Sequence, residues 1–249
     1  MAEAAVTRGI VLRETQTKET DKILTLLTED FGKIPVVARG ARRKGSKFAA
    51  SAQSLAYSEW TLYQRGPWRY AREGSTLELF DGLRDSLEAL SLGFYLAELT
   101  EYVAPEEVPV PELLRHLLNG LYALAKLRKP AALVKPAFEL RLLCLAGYEP
   151  LADACVSCGA LEPEEPVLDA AEGVIHCKKC APPGGGSPLC RDSLAALRHS
   201  VYGDPKRLYA FRLGQEPLRR LTCASEAFLF AQLERNFKTL DFYKNLSET

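Results

Sequence analysis

Between residues 9 and 72 the apolar positions come in short runs, several of them β-branched, divided by turn-forming residues, a pattern that predicts strands. The runs are Gly9–Arg13, Lys22–Thr28, Lys33–Arg39, Leu55–Tyr63 and Trp68–Arg72. Glu29-Asp30-Phe31-Gly32 supplies a compact hairpin turn between the second and third, and Gln64-Arg65-Gly66-Pro67 turns the fourth into the fifth. Five strands in eighty residues predict a small barrel. Pro35 cannot donate a ladder hydrogen bond, so the third run needs an edge position or a bulge there. In the fourth run Trp60 alternates onto the face opposite Tyr57 and Tyr63. Alternation leaves open which face meets solvent.

From Asp81 the spacing changes to the helical period. Leu83, Leu87, Leu90 and Phe94 fall on one helix face, Leu114, Leu117, Leu121 and Leu124 on a second, and Val134, Phe138 and Leu142 on a third. Pro105–Pro109 and Lys129-Pro130 separate these stripes. The helical signal stops at Gly147–Pro150. Residues 151–189 are rich in Pro, Gly and acid and close with Ala181–Pro188, which reads as a flexible connector. Ser225 is a candidate N-cap for a last apolar helix, 226–237, that needs the earlier helices to pack against. The fold class is therefore α+β: a five-stranded barrel domain over 1–80, then an α-helical domain over 81–249 interrupted by a segment at 151–182.

A chain of 249 residues with 47% hydrophobic and 26% charged residues can bury a core and stay soluble. No apolar run approaches the roughly 20 residues that cross a bilayer, and Met1–Arg8 lacks the basic start and apolar stretch of a signal peptide, so a cytoplasmic location without membrane association is expected. The formal net charge is zero. That balance hides a division: residues 1–80 hold 13 basic against 9 acidic residues, whereas 151–180 hold 2 against 6. Any attraction for phosphate must be local.

Cys155-Val-Ser-Cys158 and Cys177-Lys-Lys-Cys180 are two C-x2-C pairs with 18 residues between them, within the spacing of a four-cysteine zinc site. Metal binding would organise a segment that lacks apolar mass, one Zn2+ per chain. Four thiolates fill the tetrahedron and leave no open position for water, so the zinc is expected to be structural. His176 beside Cys177 reads as an exposed neighbour and Cys190 as a reserve ligand. Cys144 and Cys223 read as packing residues.

Arg39, Arg42, Arg43, Lys44 and Lys47 share a glycine-punctuated loop, 39–47, without an acid. Such cations displace counterions condensed on a nucleic-acid backbone, although charge runs are often merely solvated. Tyr57, Trp60, Tyr63, Trp68 and Tyr70 on the neighbouring strands add stacking platforms, the combination single-strand binders use. Enzyme motifs are absent: there is no G-x4-G-K-[ST] loop, no H-x-E after His116, His176 or His199, no H-E-x-x-H and no G-x-S-x-G. A non-enzymatic role is expected.

The order of parts resembles the RecO family of bacterial DNA repair proteins. The likeness runs through Gly9-Ile-Val-Leu-Arg13, Leu24–Lys33, Val37–Arg43, Phe94–Tyr102, Phe138–Pro150 leading into Cys155-Val-Ser-Cys158, and Arg219-Arg220. It implies an OB-fold barrel that binds single- and double-stranded DNA and a helical domain interrupted by a zinc-ribbon-like module. It further implies a nucleoid-associated recombination mediator. Such a protein anneals complementary strands, binds RecR and the tail of single-stranded DNA-binding protein, and helps load RecA recombinase, an indirect partner, onto coated single strands. The residues that fall to DNA contact are Lys33, Arg39, Arg42, Arg43, Lys44, Lys47 and Trp68. Two other classes compete: a zinc-containing protein-interaction adaptor without direct nucleic-acid binding, and a metal-dependent hydrolase, against which the four-thiolate count argues.

Overall fold

In a computed structural model, which describes residues 4–247, the first unit comprises the chain up to Lys126 together with the segment from Thr239 onward, and the second comprises Leu127–Lys238. Five strands, β1 (Ala4–Thr17), β2 (Asp21–Thr28), β3 (Gly32–Ala38), β4 (Tyr57–Arg65) and β5 (Trp68–Glu78), close into a barrel in the order β1-β2-β3-β5-β4. The five runs of the sequence correspond to those five strands, with β1 and β5 longer than their runs, β3 ending before Arg39 and β4 starting at Tyr57 instead of Leu55. All neighbours are antiparallel except β3 and β5, which pair in parallel only at Val36–Arg69 and Val37–Tyr70. Pro35 lies just outside that short pairing with its ring exposed, so the missing N–H interrupts no ladder to β5.

The barrel interior is filled by Val11, Leu24, Leu26, Ile34, Val36, Trp60 and Leu62, with Phe48 closing in from the β3–β4 loop. Trp60 is wholly buried. The alternation left open by the sequence is thereby settled: Trp60 points inward, and Tyr57 and Tyr63 stand half-buried on the outer face. At the β2–β3 turn Gly32 has φ +64°, and a Cβ there would lie 2.0 Å from the Val108 carbonyl oxygen. Only glycine satisfies both the left-handed backbone and that close approach.

Within the same unit, α1 (Leu87–Val103) is capped by Ser86, whose hydroxyl accepts from the Ala89 N–H, and α2 (Pro111–Ala125) packs against it. Leu114, Leu117, Leu121 and Leu124 are buried as their stripe predicts. The stripe on α1 is different. Leu87 and Phe94 are exposed, and the buried face is Leu92, Tyr95, Leu96 and Leu99. This helix is apolar nearly all round, so periodicity cannot select the face that packs. A last helix, α6 (Lys238–Ser247), belongs to this unit from Thr239 onward, where Thr239 donates to the Glu98 carboxylate of α1.

The second unit contains α3 (Ala131–Leu145), α4 (Arg191–Tyr202) and α5 (Gln215–Leu233), which pack on one another, and a three-stranded sheet of β6 (Val167–Asp169), β7 (Val174–His176) and β8 (Ser187–Pro188). Val134, Phe138 and Leu142 are fully buried, on a helix, α3, that is buried nearly all round. Ser225 is not an N-cap. It sits inside α5, fully buried, and its hydroxyl donates to Glu139 at 2.7 Å. The helix extends about three turns further toward the N-terminus than its apolar stretch suggests, because its first turns expose their polar residues. The stretch 181–188 is also not wholly a connector: Ser187 and Pro188 pair with β6.

Below Ser225 lies a buried ionic cluster. The Lys135 ammonium is 2.8 Å from Glu139 and 2.7 Å from Glu226, and Lys135 and Glu139 have almost no solvent contact. Burial alone would lower the Lys135 pKa, but the two carboxylates outweigh it and raise the pKa above its ordinary value.

Candidate metal centre and nucleic-acid interface

Cys155 and Cys158 sit in a tight turn ahead of the small sheet, and Cys177 and Cys180 follow β7 directly. Gly159, at φ +74°, lets the first turn reverse, and its N–H donates to the Cys155 carbonyl at 2.8 Å. The Val156 N–H reaches the Ile175 carbonyl at 2.9 Å, stitching this turn to β7 and hence to the second pair. The four sulfurs consequently lie within 4.8 Å of one another. Cys158 and Cys177 Sγ are 3.9 Å apart, close to the roughly 3.8 Å edge of a tetrahedron with metal–sulfur bonds of about 2.3 Å.

The charges around these sulfurs fit a cation. Burial opposes ionisation of Cys155, yet N–H groups of Cys177, Cys158 and Ser157 aimed at its sulfur bring its pKa down to about 6. Cys180, hydrogen-bonded to Cys177 and crowded by Cys158 and Cys155, is pushed up to about 12. One thiolate forms readily and the next is repelled, so a metal ion is the group that would let all four ionise together. His176 stays outside the cluster and pairs with the Ser157 hydroxyl at 3.2 Å. Cys190 is the N-cap residue of α4, bonded to Ser193, and does not join the sulfurs. Cys144 is half-buried, with its thiol donating to Leu140. Cys223 is exposed, not a packing residue, because α5 turns that side outward.

The second constellation lies on the barrel. Asp21 accepts the Gly40 N–H at 2.8 Å, and the Arg42 N–H donates to the Thr20 carbonyl at 2.9 Å, so the basic loop is fastened to the β1–β2 turn. That N–H from Gly40 is the main reason the Asp21 carboxyl is held below the usual carboxylate range. Arg39, Arg42, Arg43, Lys44 and Lys47 are all exposed. Lys47 donates to the Arg72 carbonyl and so draws the loop against β5. Between them opens a groove of about 770 Å³ whose lining includes Arg39, Lys47, Phe48, Tyr63 and Arg72.

Of the sequence candidates, Arg39 and Lys47 line this groove, Arg42, Arg43 and Lys44 extend along the loop, and Trp68 stands exposed at the β4–β5 turn. Lys33 is placed otherwise. It is 9% exposed, donates to the Glu101 carbonyl at 2.7 Å and pairs with Glu106 at 3.2 Å, so its ammonium is held inside the protein and is not offered to a phosphate. Arg72 was missed by the sequence reading. Its signal is the alternation of β5: Ala71 faces the core, which puts Arg72 on the outer face with Trp68 and Tyr70.

A closed barrel bearing a basic, aromatic-lined groove, joined to a helical region with a four-cysteine cluster that could hold a metal ion, is the construction of an OB-type barrel protein with an added cysteine module. Residues 1–80 match the family model described as Recombination protein O N terminal, and residues 84–241 match Recombination protein O C terminal. The DNA repair protein RecO of Acetivibrio thermocellus is 32% identical over 242 residues, covering 96% of each chain. That of Symbiobacterium thermophilum is 32% identical over 249 residues with the same coverage, and that of Desulforudis audaxviator 31% over 245. The chain belongs to the RecO family of DNA repair proteins.

Proposed function

We propose that this protein is a non-enzymatic recombination mediator that binds single- and double-stranded DNA through the barrel groove. It anneals complementary strands and helps RecA load onto single strands coated by single-stranded DNA-binding protein, acting in the cytoplasm with RecR and the tail of that coating protein as partners. The barrel of residues 1–80 is the DNA-binding domain, and the helical region 81–249, whose first two helices and last helix belong to the barrel's compact unit, carries the metal module at 151–182. The observation that carries the reading is the concentration of cations, with Arg39, Lys47 and Arg72 around one groove and Arg42, Arg43 and Lys44 beside it, on a chain of zero net charge.

Annealing then needs no fuel. Cations that neutralise two backbones at once reduce the repulsion between strands, and base pairing drives the reaction. Contacts to phosphate and stacking tolerate any base, so sequence preference is slight. The sulfur cluster holds Zn2+ through Cys155, Cys158, Cys177 and Cys180; with four thiolates around it the ion supplies shape and no open coordination position. A strand-annealing assay with the single-strand-binding protein present and absent tests the reading. Acceleration in both conditions is expected, reduced when Arg42, Arg43 and Lys44 are changed together to Ala in a variant that keeps its melting temperature. Annealing at the spontaneous rate with the unmodified protein would refute it.

A further inference from the structure

The groove offers more than charge. Tyr63 of β4 and Tyr70 of β5 stand directly opposite each other with their rings stacked at 5.4 Å, and the Arg39 guanidinium lies 4.6 Å from the centre of the Tyr70 ring. In register, the row continues to Val37 of β3 beside Tyr70 and to Ala4 of β1 opposite Tyr63. Tyr63 therefore has an aromatic neighbour on one strand and only a methyl group on the other. The groove opens at that gap, with both Ala4 and Tyr63 in its wall and Lys47 and Arg72 alongside.

The other rings of the barrel offer less to a ligand in the groove; Phe48 borders it but is buried. Trp60 and Phe48 belong to the core, and Tyr57 donates its hydroxyl to Glu29 at 2.8 Å. Trp68, though exposed, is not part of the groove wall.

We propose that an unpaired base occupies the space over Ala4 and stacks on Tyr63 while its flanking phosphates meet Lys47 and Arg72, so that the groove selects single strands over duplex. This rests on the DNA-binding reading above and adds the ring that makes the choice. The phosphate attraction is common to both forms of DNA, whereas bases inside a duplex are already stacked above and below and offer no free face. Two strands that pair on the protein lose the Tyr63 contact and keep only the charge contacts. The annealed product is consequently held less tightly than its substrates, which gives the mediator a means of release.

Fluorescence anisotropy with three probes tests this: a single-stranded oligonucleotide, the same strand carrying abasic sites, and the duplex, each with the unmodified protein, Tyr63→Phe and Tyr63→Leu. Removing the bases should weaken binding of the unmodified protein roughly tenfold, within the range for loss of one base–aromatic stack. Tyr63→Leu should bind the intact strand as weakly and be indifferent to abasic sites, Tyr63→Phe should behave as the unmodified protein, and duplex affinity should be the same in all three. The abasic arm needs no variant and decides the matter even if Tyr63→Leu misfolds. Equal binding of intact and abasic strands, or an equal loss for strand and duplex in Tyr63→Leu, overturns the stack while salt-sensitive DNA binding stands. No DNA binding by the unmodified protein overturns both.

Discussion

Changing Arg39, Lys47 and Arg72 together to Gln removes three groove cations and leaves unbranched polar side chains at exposed positions, so the shape of the barrel is little disturbed. Each cation that neutralises a single-strand phosphate contributes about −0.7 to the slope of log affinity against log salt, so the triple variant should have a slope shallower by about 2. The same exponent sets the size of the defect. At 0.1 M salt the variant should bind roughly 100-fold more weakly, and the difference should vanish as salt approaches about 1 M, where counterion release no longer drives binding. Anisotropy titrations of a labelled oligonucleotide across a salt series measure both quantities. Lys178→Gln with Lys179→Gln is the control, because those lysines already pair with Glu165 and Glu164 at 2.5 and 3.7 Å. Their loss should leave the slope unchanged. An unaltered slope in the groove variant, or a defect of the same size at every salt concentration, would refute the assignment of these cations to phosphate.

Metal analysis of the purified protein should return one zinc per chain, and a chelator should raise hydrogen exchange across 151–189 while the barrel keeps its protection. Absence of metal together with a protected module would contradict the four-thiolate site. Lys135→Ala leaves Glu139 buried without its cation and should cost about 3–5 kcal/mol in urea denaturation; a loss below about 1 kcal/mol would show the cluster to be hydrated. Because the folded pKa of Lys135 is raised, its stabilisation is full below the ordinary lysine value of 10.5 and is lost as pH rises through the folded pKa, so denaturation midpoints should fall only in strong alkali. Gly32→Ala combines left-handed strain with a clash against Val108 and should destabilise by about 2 kcal/mol or more, read as a lowered melting temperature.

The local elements and the candidate four-cysteine cluster were legible in the sequence. Five short runs, several of them β-branched, with turn residues between them correspond to the five barrel strands, because period-two patterning and turn chemistry act over a few residues. The stripe of α2 is legible for the same reason: one face is richer in leucine, and it is the face that packs, whereas α3 is buried nearly all round and its stripe is only part of what it buries. Two C-x2-C pairs declare their chemistry because each is a chelating turn, and only the approach of the two turns needed the fold.

Tertiary structure alone decided which of these surfaces is available. Alternation separates Trp60 from Tyr63 but cannot say which side is filled, since that depends on Val11, Leu26 and Ile34 arriving from other strands. Helix α1, apolar around its circumference, takes its buried face from whatever packs on it. Lys33 carries the same charge as Lys47, yet Glu101 and Glu106, about 70 residues further along the chain, hold one and leave the other at the groove. A residue's type fixes what it can bind, but partners brought together by the closed barrel and its helices fix whether it is free to bind anything else.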